Sequence, residues 1–193
     1  MRLPDTLATD RMILRRLQLS DAESLYTHCF QHAEHLRFMS YVPHSGVADT
    51  QAYIKNSQAR WEVGDRKEYA MVERLTHQVI GVIGIYITLG RCSLGAAVAP
   101  AYSGHGLVRE ACRRVIAFLQ RQPWVTRIWA FCEGGHQRSC HVLRVIGFVE
   151  EGRVHSWSTF PQLGDEPRDC IFFYFPRTPL LPEGRKGEQP EEG

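Results

Sequence analysis

The sequence predicts a mixed α/β fold: a mostly antiparallel, twisted sheet of about seven strands flanked by about four helices. Three observations point there. Short runs rich in Val, Ile and aromatic residues alternate in polarity, whereas other stretches carry apolar residues at helical spacing. These runs follow the order strand, two helices, three strands, helix, strand, helix, two strands, which mixes an antiparallel block with a strand–helix–strand block. With 193 residues, 44% hydrophobic and 23% charged, the chain can bury one sizeable core and is too apolar for a disordered protein.

Met12 to Leu17 reads as the first strand. Ser20 with Glu23 has the spacing of a capping box and opens a helix whose Leu25, Cys29, His32 and Leu36 fall near one stripe. His28, His32 and His35 share that helix at i, i+4 and i+7, but the set matches no specific zinc spacing, so a solvated face is expected and no metal. Tyr41 to Gly46 is a loop. Asp49 caps a second helix, which runs through Trp61 and ends at Gly64. Strands at 68 to 73, 79 to 88 and 92 to 98 then form a meander, with turns at Thr76-His77 and Leu89-Gly90. Gly81 and Gly84 within the middle strand mark a bulge or a close backbone approach.

The third of these strands leads through Pro100 into Ser103-Gly104-His105-Gly106 and a helix to about Gln120, stopped before Pro123. Two glycines one residue apart let the backbone turn sharply and approach a ligand closely. The helix behind them presents free N–H groups and its positive dipole end, a setting that suits phosphate or another anion. An ordinary strand-to-helix turn is the other reading of Gly-x-Gly alone. Beyond it come a buried strand at 127 to 132, a helix at 136 to 146 stopped by Gly147, a strand at 148 to 157, a loop at 161 to 167 and an aromatic strand at 169 to 175. Residues 1–175 thus read as one domain, and 176–193, rich in Pro, Gly and charge, as a disordered tail.

Net charge is only +2 with dispersed basic residues, so no nucleic-acid partner is expected. The start of the chain has no apolar leader and no run has membrane-spanning length, so a cytoplasmic protein without a membrane partner is expected. The six cysteines form no C-x-x-C pair and read as reduced thiols. Cys132, His136, Cys140 and His141 fit no zinc template, and no metal is expected there either.

Five segments, in order, carry a family resemblance. They are Thr9-Asp-Arg-Met-Ile-Leu-Arg15 with Ser20-Asp-Ala22; Val79-Ile-Gly-Val-Ile-Gly84; Pro100-x-Tyr102-x-Gly104-x-Gly106 with Glu110-Ala111; Ser139 to Phe148 followed by Glu151-Gly152; and Arg168-Asp169. Together they resemble the GNAT superfamily of acyl-CoA-dependent N-acetyltransferases, in its RimJ/RimL-like branch of ribosomal-protein N-acetyltransferases.

The resemblance implies a GNAT-like fold and acetyl-CoA as co-substrate. The acceptor would be a primary amine, either a protein N-terminal α-amine or a small molecule, attacking the thioester directly; a homodimer is compatible with it. It implies that the amides of Ser103, Gly104, His105, Gly106, Leu107, Val108 and Arg109 hold the pyrophosphate, and that Ala96, Ala97 and Val98 pair with the pantetheine arm. Ser139 stands where the branch places the serine that protonates the departing thiolate. Glu133 and His136, at the end of the preceding strand, are candidates to relay a proton through water. Three positions differ from the family pattern: Ser103, Val108, and His136 in place of an Asn. They leave open an alternative, a catalytically weak acyl-CoA-binding or regulatory module of the same fold. Acceptor recognition is expected from the first helical pair and from loops around Tyr41, His44 and Phe160 to Asp165.

Overall fold

The computed structural model describes residues 3–176. The tail expected at 176–193 lies, apart from Pro176, outside the described residues. Eight strands form one sheet in the order β1-β2-β3-β4-β5-β6-β8-β7. They are β1 (Thr6–Ala8), β2 (Met12–Arg16), β3 (Arg66–Glu73), β4 (Val79–Thr88), β5 (Arg91–Val98), β6 (Arg127–Glu133), β7 (Val149–Phe160) and β8 (Gly164–Phe175). The eighth strand, beyond the seven expected, is β1, too short to show a period in the sequence. Four helices complete the fold: α1 (Ala22–Leu25), α2 (Val47–Val63), α3 (Leu107–Leu119) and α4 (Gln137–Ile146). No helix among the described residues is long and apolar enough to cross a membrane.

Each face of the sheet has its own apolar layer. On one face, Leu107, Ala111, Val115 and Leu119 of α3 and Cys140, Leu143 and Ile146 of α4 pack on Met71, Ile83, Ile85, Ile128, Ala130 and Phe173. These residues recur at i, i+4 and i+3, one stripe of each helix. On the other face, Leu25 and Ile54 pack on Ala70, Val72, Val82 and Ala97. Every cysteine is a free, buried thiol.

The first helical region differs most from expectation. Its cap is Asp21 rather than Ser20: the Asp21 carboxylate accepts the Gln18 N–H at 2.8 Å and grips Arg15 through both oxygens at 2.7 and 2.8 Å. The helix then widens into a π turn over Tyr26–Phe30. Through that turn Leu25, Cys29 and Phe30 all enter the core. The chain leaves helical geometry there, with the Thr27 carbonyl accepting from Gln31 Nε2 at 2.7 Å and contacting His32 Nε2 at 3.0 Å. His28, His32 and His35 therefore do not share a helix.

Two smaller differences have local causes. Gly46, not Asp49, precedes α2, and Asp49 reaches back to accept the N–H and hydroxyl of Ser45 at 2.8 and 2.6 Å. The loop expected at 161–167 is a single 3-10 turn, Pro161–Leu163, after which Gly164 at φ +115° starts β8 and extends a long hairpin with β7.

Gly81 bears out its predicted role. Met71 pairs with Gly81 but Val72 with Val79, so Ile80 is an inserted residue. A Cβ at Gly81 would lie 2.3 Å from the Ala97 carbonyl oxygen and 2.8 Å from Val98 Cα. Gly81→Ala is expected to destabilise the fold by about 2–3 kcal/mol, the cost of overpacking against immobile backbone. Chemical denaturation checks this: the midpoint should fall with the slope unchanged, and an unshifted midpoint would contradict the contact.

Candidate active site

The site begins where the sheet parts. β5 pairs with β4 along its whole length, from Arg91 opposite Thr88 to Val98 opposite Gly81. Its pairing with β6, the one parallel contact in the sheet, covers only Arg91, Cys92 and Ser93 against Arg127, Ile128 and Trp129. β6 turns instead to β8, pairing from Ile128 to Glu133. From Leu94 onward, β5 therefore has a free backbone edge facing a wedge-shaped gap. A strand edge of this kind offers N–H and C=O groups to an extended ligand. Ala96, Ala97 and Val98 lie on it.

The Gly-rich turn closes the end of the wedge. A 3-10 turn, Pro100–Tyr102, leads into Ser103, and Gly104 (φ +90°) and Gly106 (φ +77°) take left-handed conformations on either side of His105. The amides of Gly104, His105, Gly106, Leu107, Val108 and Arg109 make no hydrogen bond to an acceptor among the described residues; the first helical bond is Glu110 N–H to the Gly106 carbonyl at 3.0 Å. Free amides at a helix start form an anion cradle. Val108, which differs from the family pattern, turns its branched side chain against the core.

Three arginines surround this turn. Arg138, from α4, has its Nη2 3.4 Å from where a Cβ on Gly104 would sit, and Arg109 Nη2 is 3.3 Å from the equivalent point on Gly106. Arg11, at the start of β2, donates to the His105 carbonyl at 3.0 Å and pairs with Glu110 at 2.6 Å. Burial alone would raise the Glu110 carboxyl, but hydrogen bonds from Thr9 and Arg11 outweigh it and hold the group below its ordinary value. A cavity of about 740 Å³ opens on the β2–β3 side of the same turn, lined by residues of both charges that include Arg11, Glu73, Arg74 and His105. Sequence reading found Arg109 but not Arg138 or Arg11, because those two arrive from other elements.

Across the wedge stand the remaining candidates. Ser139 is half-buried in the first turn of α4, close enough to the Cys132 thiol to favour its ionised form. Cys132 and Cys140 sulfurs lie 3.1 Å apart in the core, and burial pushes the Cys132 thiol well up. His136 precedes α4 and stacks on Phe38 with ring centroids 4.2 Å apart. Burial lowers its imidazole, against a smaller raising effect from Glu133. Glu133 itself is buried, and its two oxygens are engaged, one by Arg168 Nε at 2.7 Å and the other by the Gly135 N–H at 2.6 Å.

The segment after the π turn lies over the same place. His35 reaches the Val98 carbonyl at the end of β5, and burial lowers its imidazole despite that bond. Tyr41 is tied to the β7–β8 turn, since Gln162 Nε2 donates to the Tyr41 carbonyl at 2.8 Å. His44 pairs with Thr50 at 2.8 Å. No group of three or more His, Cys, Asp or Glu among the described residues is arranged to hold a metal ion.

Comparison with known proteins agrees with this architecture. Residues 11–149 match the model of the acetyltransferase (GNAT) domain family. The [ribosomal protein uS5]-alanine N-acetyltransferase of Escherichia coli (strain K12) is 27% identical over 158 residues, 76% of this chain and 79% of that protein. The N-acetyltransferase YoaA of Bacillus subtilis (strain 168) is 25% identical over 154 residues, 78% of this chain and 86% of the relative. In fold, the chain is similar to the RimL ribosomal L7/L12 alpha-N-protein acetyltransferase in complex with coenzyme A, with TM-score 0.78 and 15% identity over 88% of this chain and 96% of the other. It is also similar to the microcin C7 self-immunity acetyltransferase MccE in complex with acetyl-CoA and AMP, with TM-score 0.76 and 17% identity over 86% and 92%.

The histidines at the wedge provide a check on this geometry. His35 and His136 are expected to titrate below the usual 6.5. Because the folded state disfavours their protonated forms, stability tied to them is complete above 6.5 and is lost as pH falls through the folded-state values. NMR titration of the ring signals measures this directly, and midpoints at or above 6.5 would contradict the packing of both rings.

Proposed function

The chain belongs to the GNAT acetyltransferase family, and on that footing we propose that it moves an acetyl group from acetyl-CoA to the α-amine of a peptide or protein N-terminus, by direct attack on the thioester. The observation that carries this reading is the parted edge of β5 running straight into six unpaired amides. An extended chain with peptide-like groups at one end and two phosphates at the other fits that combination. In this reading the backbone of Ala96, Ala97 and Val98 pairs with the pantetheine arm. The amides of Gly104 to Arg109, with Arg138 and Arg109 beside them, take the pyrophosphate, whereas the Ser103 N–H, expected to join them, is spent on the Pro100 carbonyl at 3.0 Å.

Acetyl transfer needs a neutral amine, stabilisation of the developing oxyanion and a proton for the departing thiolate. Ser139 supplies that proton. His136, whose imidazole burial holds below its ordinary value, relays a proton to the serine hydroxyl through water, gaining one at one ring nitrogen as it gives one from the other. Glu133, with both oxygens engaged, fixes the Gly134-Gly135 turn that sets the start of α4.

The α-amine is favoured as acceptor on two grounds. An amine with pKa near ~8 is roughly one-tenth neutral at pH 7, a cost of about 1.4 kcal/mol, against about 4.6 for a lysine near ~10.4. A relative named as a [ribosomal protein uS5]-alanine N-acetyltransferase is 27% identical over 76% of this chain.

Two substitutions separate cofactor binding from chemistry. Gly106→Val places a branched side chain at φ +77°, beside the amides. It is expected to weaken acetyl-CoA binding at least about 5-fold by calorimetry, the lower end of what backbone strain of 1–3 kcal/mol implies; an unaltered Kd would rule the turn out as the cradle. Ser139→Ala is expected to lower kcat about 100-fold, within the range for a lost acid catalyst, at unchanged acetyl-CoA affinity. Unchanged turnover would remove the serine from the mechanism.

A further inference from the structure

Register across the sheet singles out a carboxylate that neither the sequence motifs nor the proposed thiol-release end uses. Glu68 of β3 pairs with Gly84 of β4, and Gly84 pairs with Gly95 of β5. Counting two residues along the parallel register from Ser93 opposite Trp129 puts Gly95 level with Phe131, across the wedge. Glu68, Gly84 and Gly95 thus form one row ending at the gap. Cys132, which the Ser139 hydroxyl approaches, is one residue further along on the opposite face. The two glycines leave the row without side chains between Glu68 and the wedge.

Glu68 lies on the α1–α2 face, opposite α3 and α4. It is only 3% exposed. Its Oε1 accepts the Tyr53 hydroxyl at 2.8 Å. Its Oε2 has no hydrogen-bond partner: Arg66 Nε lies 3.1 Å away but off the line a hydrogen bond needs, and both atoms remain unsatisfied. That oxygen is thus ion-paired with Arg66 but accepts no hydrogen bond, an unusual state for a buried carboxylate that calls for a functional explanation. Tyr41 and Tyr53 are neutral, pushed up well above the ordinary tyrosine value by burial first and by Glu68 among the charges. Tyr86 covers the row: its ring edge and hydroxyl come within 3.2 and 3.3 Å of a Cβ built on Gly84, and it is 44% exposed. Tyr86 is the exposed member of this enclosure, on its solvent side.

We propose that Glu68, with Tyr41, Tyr53 and Tyr86 around it, is the acceptor-amine site: it receives the substrate's ammonium and takes its proton before attack. This rests on the acetyl-transfer reading. A carboxylate with one oxygen free to accept a hydrogen bond beside its Arg66 ion pair, ringed by neutral aromatic hydroxyls, is suited to a compact N–H donor cation. The ammonium gives one proton to the carboxylate, leaving R–NH2 and a Glu68 carboxylic acid. The amine lone pair forms the C–N bond, the C–S bond breaks, the thiolate takes a proton from Ser139, and the second proton shed by the new amide nitrogen restores the serine hydroxyl. Glu68 afterwards releases its proton to solvent, so the sum is ammonium plus thioester giving amide, thiol and one proton. Donor and acceptor approach from opposite faces and meet in the wedge.

The test compares wild type with Glu68→Gln in the full chain. One nucleophile is the fastest acceptor found in a pool of peptides of every N-terminal residue plus primary alkylamines. The other is hydroxylamine, which is already neutral at pH 7. The expected result is a loss of about 100-fold in kcat/KM with the protonated acceptor, the usual size for a lost proton acceptor. Hydroxylamine turnover and acetyl-CoA Kd should stay within about threefold, well inside that effect. Equal rates on the protonated acceptor, or an equal loss on both nucleophiles, would overturn the proposal. If Glu68→Gln does not fold, as judged by lost acetyl-CoA binding, Glu68→Asp is read by the same ratio. A wild-type protein that binds acetyl-CoA yet acetylates nothing would instead refute the acetyl-transfer reading itself.

Discussion

The early end of pairing between β5 and β6, after Ser93, is the constraint on which the rest of the structure depends. A sheet gains by pairing every backbone group, and leaving an edge open forfeits hydrogen bonds at about 0.5–1.5 kcal/mol each. The chain enforces the parting from both sides. β6 is claimed by β8 through six consecutive positions, while β5 is held to β4 along all eight of its residues, tightly enough that Gly81 admits no side chain against Ala97. The two strands start together and are drawn apart by their outer neighbours.

The same parting organises the two faces. α3 starts at the turn that ends β5, so its free amides point into the head of the wedge, and α4 starts at the end of β6, so its first turn lines the opposite wall. The side chains that hold these two helix starts come from a distance: Arg11 from the far side of the sheet on one, and Arg168 through Glu133 on the other. On the reverse face, the π turn ends α1 early and releases the segment carrying His35 and Phe38, which lies across the end of β5 and against His136.

Much of this was legible in the sequence. The three meander strands, α3, α4 and their stops at Pro123 and Gly147 were read nearly to the residue, because alternation, amphipathic spacing and glycine or proline punctuation all agreed. The Gly104-x-Gly106 turn was recognisable, since left-handed conformations beside a helix start demand glycine. What could not be read was what depends on tertiary placement. The π turn hides within a helical stripe, and Asp21 rather than Ser20 precedes α1, its carboxylate turned back to Arg15 and the Gln18 N–H. Arg138, Arg11 and His35 converge on the wedge from three separate elements. Glu68 sat unremarked in a strand, since its meaning lies in pairing with Gly84 and, through it, Gly95.

Amide hydrogen exchange with and without acetyl-CoA tests the central claim most directly, because it reads the open backbone itself. New protection is expected in two segments alone, Leu94 to Val98 on the free edge of β5 and Gly104 to Arg109 at the turn, with Arg91 to Ser93 already protected by pairing with β6. Protection confined to the cavity around Arg74 and Tyr102, or no change in either segment at saturating acetyl-CoA, would contradict it.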